Sequence, residues 1–313
     1  MDNGLYSYLL WRKQSSSTDG DRSSEDNQSS LSEFGFIKPT SVPASHQTMV
    51  PKIFKKAVKE VLIEDGLGGY HADNYRCWPP PIFIIFITLA ELTVFVYHWI
   101  TVGELSTIGP VPVDSVLIYR PDQRIQVWRF LSYVLIHAGW FHLAFNLLVQ
   151  VFVGLPLEMV HGSFRTAVIY FSGVIAGSLG TSVFDQDVYL VGASGGVYAL
   201  LSAHLANVLL NRTQMELGML RIVGVLLIAS CDVGVAIWDR YAAEPTPLPV
   251  SYTAHLMGAL AGLCVGLVAL KNFDQRFSST VTWWIALSIY FASVLAAVLW
   301  NCFIVEPGVL QYS

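Results

Sequence analysis

Val191-Gly192-Ala193-Ser194-Gly195-Gly196-Val197-Tyr198-Ala199-Leu200-Leu201-Ser202-Ala203-His204-Leu205-Ala206-Asn207-Val208-Leu209-Leu210 holds no carboxylate, lysine or arginine and is apolar over most of its length. A helix rises 1.5 Å per residue, so a run of about 20 residues matches a hydrocarbon core about 30 Å thick. Its first residues match Gly192-x-Ser194-x-Gly196, the spacing of a nucleophile elbow. In a soluble hydrolase that turn follows a strand, whereas here it opens an apolar helix between other apolar runs. Read alone, the glycines and serine are better explained by close helix packing, which small residues serve in membranes.

Working outward, seven stretches are long and apolar enough to span: 82–100, 140–160, 164–184, 191–211, 219–238, 251–270 and 282–304. Residues 101–139 are too polar and proline-broken at first, then amphipathic from Val127 to His137, and are expected to lie in the membrane interface. The chain as a whole is 53% hydrophobic and 13% charged, with a mean hydropathy of +0.50. Soluble domains carry about 25% charge, so an ordinary water-soluble domain is excluded. A formal charge of -5 and no basic run interleaved with aromatics give no attraction to nucleic acid; the bilayer is the expected partner. Cys77, Cys231, Cys264 and Cys302 are scattered and suggest neither a disulfide framework nor a metal site.

Residues 1–50 are rich in Ser, Asp, Asn and Gln and lack periodic apolar positions, which reads as a disordered tail. Residues 52–63 place Phe54, Ala57, Val58, Val61 and Leu62 at helical spacing among Lys52, Lys55, Lys56 and Lys59. That is a basic amphipathic helix, suited to a cytoplasmic membrane face or to docking on the protein's own core. With a cytoplasmic N-terminus the inner segments carry Arg76, Arg165, Arg212, Arg221, Lys271 and Arg276, against Arg120, Arg124, Arg129 and Arg240 outside. The positive-inside excess then places the N-terminus in the cytoplasm and, after seven spans, the C-terminus outside.

A polar group left in a span needs a reason, because an unsatisfied one in hydrocarbon costs several kcal/mol. Those of interest are His142 and Asn146 in the second span, Ser194 at the mouth of the fourth and His255 in the sixth, together the inventory of an acyl-transfer site. Ala254-His255-x-x-Gly258-x-x-x-Gly262 sets His255 beside a small-xxx-small face, and Gly195, Ala199 and Ala203 repeat that spacing in the fourth span. Two such faces let backbones approach closely, bringing the Ser194 hydroxyl toward the His255 imidazole. The alternative is a histidine satisfied by a carbonyl.

His142 and Asn146 share a helix face and can donate to an oxyanion beside a backbone N–H of Ser194, or simply hold helices together. Tyr198, one turn after Ser194, can stack on His255 or serve as an ordinary core tyrosine. Asp232, a lone carboxyl in the fifth span, is read as pairing structurally or facing water, with orientation of His255 as the less favoured role. Glu91 and Glu158 must face protein, Arg129 ties the first loop to carbonyls or a carboxylate, and His137 braces that loop or donates a hydrogen bond.

Trp128-Arg129, His137, His142-x-x-x-Asn146, Gly154-x-x-x-Glu158, Gly192-x-Ser194-Gly195-x-x-Tyr198 and Ala254-His255-x-x-Gly258-x-x-x-Gly262, in this order over residues 82–270, resemble the rhomboid intramembrane serine proteases. The resemblance implies an all-α polytopic fold with a six-helix core and a seventh, C-terminal transmembrane helix. The domains expected are a cytoplasmic tail at 1–80, the core at 81–270 and a short loop with the extra span at 271–313. It implies a serine–histidine dyad that needs no carboxylate, with Ser194 as nucleophile and His255 as general base, and His142, Asn146 and the Ser194 backbone as oxyanion hole. Gly192, Gly195, Tyr198 and His137 are supporting residues, and no cofactor or metal is expected. The seventh span is similar to that of the secretase-type animal rhomboids. It implies single-pass transmembrane substrates, cleaved near the outer or luminal leaflet with release of ectodomains, at the plasma membrane or Golgi. The competing readings are a rhomboid-like protein that binds membrane clients without cutting them and, further off, a transporter. Neither an HExxH zinc helix nor a pair of aspartates on adjacent spans is present.

Overall fold

The structure is a computed structural model that describes residues 80–103, 105–107, 109, 111–210, 218–241, 251–270 and 280–303. The tail, the basic segment 52–63, Cys77, and the charges Arg76, Arg212, Lys271 and Arg276 lie outside the described residues. The described elements are α1 (Ile82–Val102), α2 (Arg129–Ser132), α3 (Gly139–Val149), α4 (Leu155–His161), α5 (Ser163–Phe184), α6 (Ser194–Leu210), α7 (Gly218–Tyr241), α8 (Tyr252–Ala269) and α9 (Thr280–Phe303). A π-turn, Gln150–Gly154, joins α3 to α4, so Gly139–His161 runs as one broken span.

Among the described residues, six helices are long and apolar enough to cross a bilayer: Ile82–Val102, Gly139–His161, Ser163–Phe184, Gly218–Val235, Tyr252–Ala269 and Val281–Phe303. The chain is a multi-pass membrane protein. The stretch expected as a fourth span starts later than the sequence suggested: α6 begins at Ser194. The reason is local, since Gly192 takes a positive φ of 106° that no helix can incorporate. A helix walled by other helices need not reach both membrane surfaces, and α6 is buried along most of its length.

The core is built on backbone proximity. A Cβ on Gly258 would collide with the carbonyl oxygen of Gly195, one on Gly262 with that of Ala199, and one on Gly266 would come within 2.8 Å of the Ala203 methyl. The small faces of α6 and α8 thus meet in register. From α5, Gly173 sits against Ala199 and the Gly195 carbonyl of α6, and a Cβ on Gly177 would lie 3.2 Å from the Ala254 oxygen of α8. Lipid tails are as apolar as leucine, so van der Waals contact over these stripes, rather than hydrophobic exclusion, holds the three helices together.

Buried carboxylates fasten α1. Both oxygens of Glu158 accept from the α1 N-terminus, Phe83 N–H at 2.7 Å and Ile84 N–H at 2.8 Å. They satisfy donors that helix geometry leaves free and that Pro81 does not cap. Glu91 accepts from the Tyr170 hydroxyl at 2.8 Å and the Gln150 amide at 3.2 Å; the same amide reaches Thr88 at 2.8 Å. Both glutamates face protein, as their cost in lipid requires.

The loop between α1 and α3 is tied by Arg129. Its guanidinium donates to the carbonyls of Ser115 at 2.9 Å and Ile118 at 2.7 Å and to the Gln126 side chain at 2.7 Å. Val127, Trp128 and Leu131 point outward while Arg129 and Tyr133 are buried, the inside-out amphipathicity of a segment lying against lipid. An isolated antiparallel bridge between Tyr119 and Leu190 links this loop to the chain leading into α6.

Candidate active site

Ser194 is the first residue of α6, half-buried, behind a turn held at three points. Gly192 N–H donates to the Tyr133 carbonyl at 3.2 Å, Ala193 N–H to His137 Nε2 at 3.3 Å, and Val197 N–H closes the first helical turn on the Ala193 carbonyl at 3.0 Å. The N–H groups of Ser194, Gly195 and Gly196 fall in the first turn, where helix geometry supplies no acceptor. A free N–H set at the positive end of a helix suits developing negative charge.

His142 lines the other side of the turn. A Cβ on Gly192 would lie 2.5 Å from His142 Cε1 and 2.9 Å from Nε2, so only glycine admits the ring there. Asn146, one turn along α3, is buried and spends one amide hydrogen on the His142 carbonyl at 2.8 Å, leaving its second. His137 packs edge-on against His142 with centroids 5.4 Å apart. Burial, and then the neighbouring His142, hold the His137 imidazole well below the usual histidine range. It is therefore neutral and accepts the Ala193 N–H through Nε2.

His255 lies in the first turn of α8, whose N-cap Ser251 accepts from Ala254 N–H at 3.2 Å. It is 3% exposed, and Tyr198 stacks on it with centroids 4.6 Å apart and planes 12° from parallel. Tyr198 is one turn beyond Ser194 on the same helix, and Gly195, next to Ser194, abuts Gly258, one turn after His255, so the nucleophile candidate and the base candidate flank one close contact of α6 and α8. The Ser194 hydroxyl and His255 Nε2 do not form a hydrogen bond in this structure. Such bonds are often long before substrate binds. Behind the ring, Asp232 of α7 places Oδ2 at 2.9 Å from the Tyr198 hydroxyl and 3.3 Å from His255 Nδ1.

The sequence model described as Rhomboid domain matches residues 124–272, which contain every residue of this cluster. Rhomboid-related protein 3 of Homo sapiens is 44% identical over 259 residues, 80% of this chain and 64% of the relative. Rhomboid-related protein 2 of Mus musculus is 39% identical over 253 residues, 80% of this chain and 84% of the relative. The chain belongs to the rhomboid family. A relative named Inactive rhomboid-related protein 2, of Caenorhabditis elegans, is 33% identical over 215 residues, 68% of this chain and 61% of its own. This rhomboid spans 64% of the length of Rhomboid-related protein 3 in both Homo sapiens and Mus musculus.

Ser194, His255, His142, Asn146, Tyr198, Gly192, Gly195 and His137 converge on one cluster in this rhomboid, although they come from three helices and two loops. Asp232 joins them. It accepts from the Tyr198 hydroxyl, a structural pairing of the kind expected for a lone carboxyl in an apolar span. Tyr133 went unnoticed, yet its carbonyl holds Gly192 and its hydroxyl donates to the Val174 carbonyl at 2.9 Å.

Proposed function

We propose that this rhomboid is an intramembrane serine endopeptidase that cuts single-pass transmembrane proteins with Ser194 and His255. The observation that carries the reading is the Tyr198–His255 stack, one helical turn from Ser194, at the contact of Gly195 with Gly258. In the reaction Ser194 Oγ attacks the scissile carbonyl and its proton passes to His255 Nε2. The oxyanion receives hydrogen bonds from the Ser194 N–H, the Asn146 amide and His142. His255 then protonates the leaving amine, and water activated by the same imidazole hydrolyses the acyl-enzyme. A substrate helix has to unwind locally first, because its carbonyls are held in i to i+4 hydrogen bonds.

The active site faces the lumen or exterior, the N-terminus is cytoplasmic, and the compartment is the plasma membrane or the Golgi, with ectodomains as products. A relative named inactive belongs to the same family, so client binding without cleavage is the second reading; retention of both Ser194 and His255 favours the protease. The test is cleavage of a tagged single-pass reporter by wild type, Ser194→Ala and His255→Ala at matched expression. The protease reading expects cleavage by wild type alone. Equal cleavage by all three sinks the nucleophile and base assignment, and an inert wild type that co-purifies with intact membrane proteins favours client binding.

A further inference from the structure

The helix α9 lies beyond the matched domain, which ends at residue 272, and turns most of its apolar side chains outward, among them Trp284, Ile289, Phe291 and Leu295. A helix that only anchored the chain in lipid would need no amide side chain, since a polar group in hydrocarbon is costly and persists where a partner uses it. Near the C-terminal end of α9 stands Asn301. Its amide nitrogen donates to Ser182 Oγ of α5 at 2.7 Å and to the Ala297 carbonyl of its own helix at 2.8 Å, so both amide hydrogens are committed. Ser182 is fully buried and passes its own hydrogen to the Leu179 carbonyl at 2.6 Å. The donors therefore run in one direction, from α9 into α5.

What gives this bond consequence is the place of Ser182. Its neighbour Thr181 shares a hydrogen with Ser251 at 3.1 Å. Because the Thr181 hydroxyl already donates to the Gly177 carbonyl at 2.9 Å, the shared hydrogen belongs to Ser251. Ser251 is the N-cap of α8 and accepts from Ala254 N–H at 3.2 Å, directly before His255. The same end of α5 holds the first loop: Arg124 donates to the Gln186 carbonyl at 2.7 Å, and Leu190, on the way to Ser194, is bridged to Tyr119. The last turn of α5 is thus the seat on which the start of α8, the first loop and the end of α9 meet. The other hydrogen bond from α9 to α5, Tyr290 hydroxyl to the Ser172 carbonyl, is longer at 3.4 Å and lies earlier on both helices, away from that seat.

Resting on the protease reading, we propose that Asn301 of α9 is a positioning residue for His255. By holding Ser182 it sets the last turn of α5, on which Thr181 seats the N-cap of α8 and with it the imidazole that has to reach Ser194. The helix added after the matched domain is then a working part of the site, acting through α5 and the α8 N-cap, rather than an anchor alone.

The test uses the purified full chain in proteoliposomes, with kcat and KM for a single-pass reporter, the rate at which a fluorophosphonate labels Ser194, and Tm. Asn301→Leu keeps the size of the side chain, removes the donor and makes the span more apolar, which favours insertion. A misplacement of about 1 Å costs on the order of 10²-fold in rate, so a shift of a fraction of that is expected to lower kcat about tenfold, with KM within about twofold and labelling falling in parallel. Tm should change little, because one interhelical hydrogen bond is a small part of the stability of a bundle. Ser182→Ala should lose the same factor, and the double variant no more than either single one, since all three remove one shared bond. Tyr290→Phe cuts the other tie of α9 and should keep kcat within about twofold of wild type. Asn301→Leu with wild-type kcat, a double variant that loses the product of the two single factors, or Tyr290→Phe losing as much as Asn301→Leu overturns the proposal and leaves the protease reading intact. A wild type that neither cuts nor labels overturns both.

Discussion

Replacing Gly258 by alanine sets a methyl group against backbone rather than against a side chain that could swing aside. The new Cβ collides with the Gly195 carbonyl oxygen and lies 3.0 Å from both Gly195 C and Gly195 Cα. Ordinary carbon contacts fall at about 3.5–4.0 Å, so α8 must retreat from α6 by roughly half an ångström to an ångström. The displacement acts where it matters most. His255 is one turn before Gly258, and Gly195 directly follows Ser194, so the shift widens the gap that the base has to close. Misplacement of about 1 Å costs on the order of 10²-fold in rate, and overpacking a tight interface about 1–3 kcal/mol in stability. Gly258→Ala is therefore expected to cut reporter cleavage about a hundredfold and to lower Tm. Gly224→Ala on α7, with nothing within 4 Å of the added methyl, is the matched control and should leave both unchanged. Measured side by side in the same proteoliposomes, a Gly258→Ala variant with wild-type kcat and Tm would refute the claim that backbone contact between α6 and α8 sets the site.

Three more perturbations separate the parts of the site. Gly192→Ala meets both a φ of 106° and the His142 ring; about 1–3 kcal/mol of strain and a displaced His142 should reduce kcat more than KM, read by reporter kinetics. His137 is held below its ordinary value near 6.5, so the unfolded chain binds its proton first. Its contribution to stability is complete above about pH 6.5 and is lost as pH falls below it, and thermal scans from pH 7.5 to 5 should show a declining Tm whose slope His137→Gln reduces. Glu158→Gln leaves an amide NH₂ facing one of the two α1 N–H donors, at about 1–3 kcal/mol; a Tm equal to wild type would show that Glu158 does not cap α1.

Much of this architecture is legible in the amino-acid order because the bilayer imposes harsh rules. An apolar run of about 20 residues announces a helix, and a polar group left within one announces either a partner or a site. Hence Ser194, His255, His142 and Asn146 could be singled out, and the repeats Gly195-Ala199-Ala203 and Gly258-Gly262 foretold which two helices touch. Two details escaped the same rules. The break at Gln150–Gly154 leaves no trace in hydropathy, and the start of α6 at Ser194 follows from the Gly192 conformation, which hydrophobicity does not report.

What the sequence alone determined is the membrane class, the position of most spans and the small set of residues able to do chemistry. Composition and spacing are one-dimensional properties, and solvent acts on them directly. Which of those residues share a site was decided by tertiary structure. Asp232 is 23 positions before His255, with residues 242–250 between their helices, and no periodicity reveals toward which neighbour its carboxylate turns. That choice depends on the rotation of α7 about its own axis, set by Tyr198 and Ala229 at the contact with α6. Rotation of one helix against another is a property of packing in three dimensions, which is why the fold announced itself early and the neighbour behind His255 only in the folded molecule.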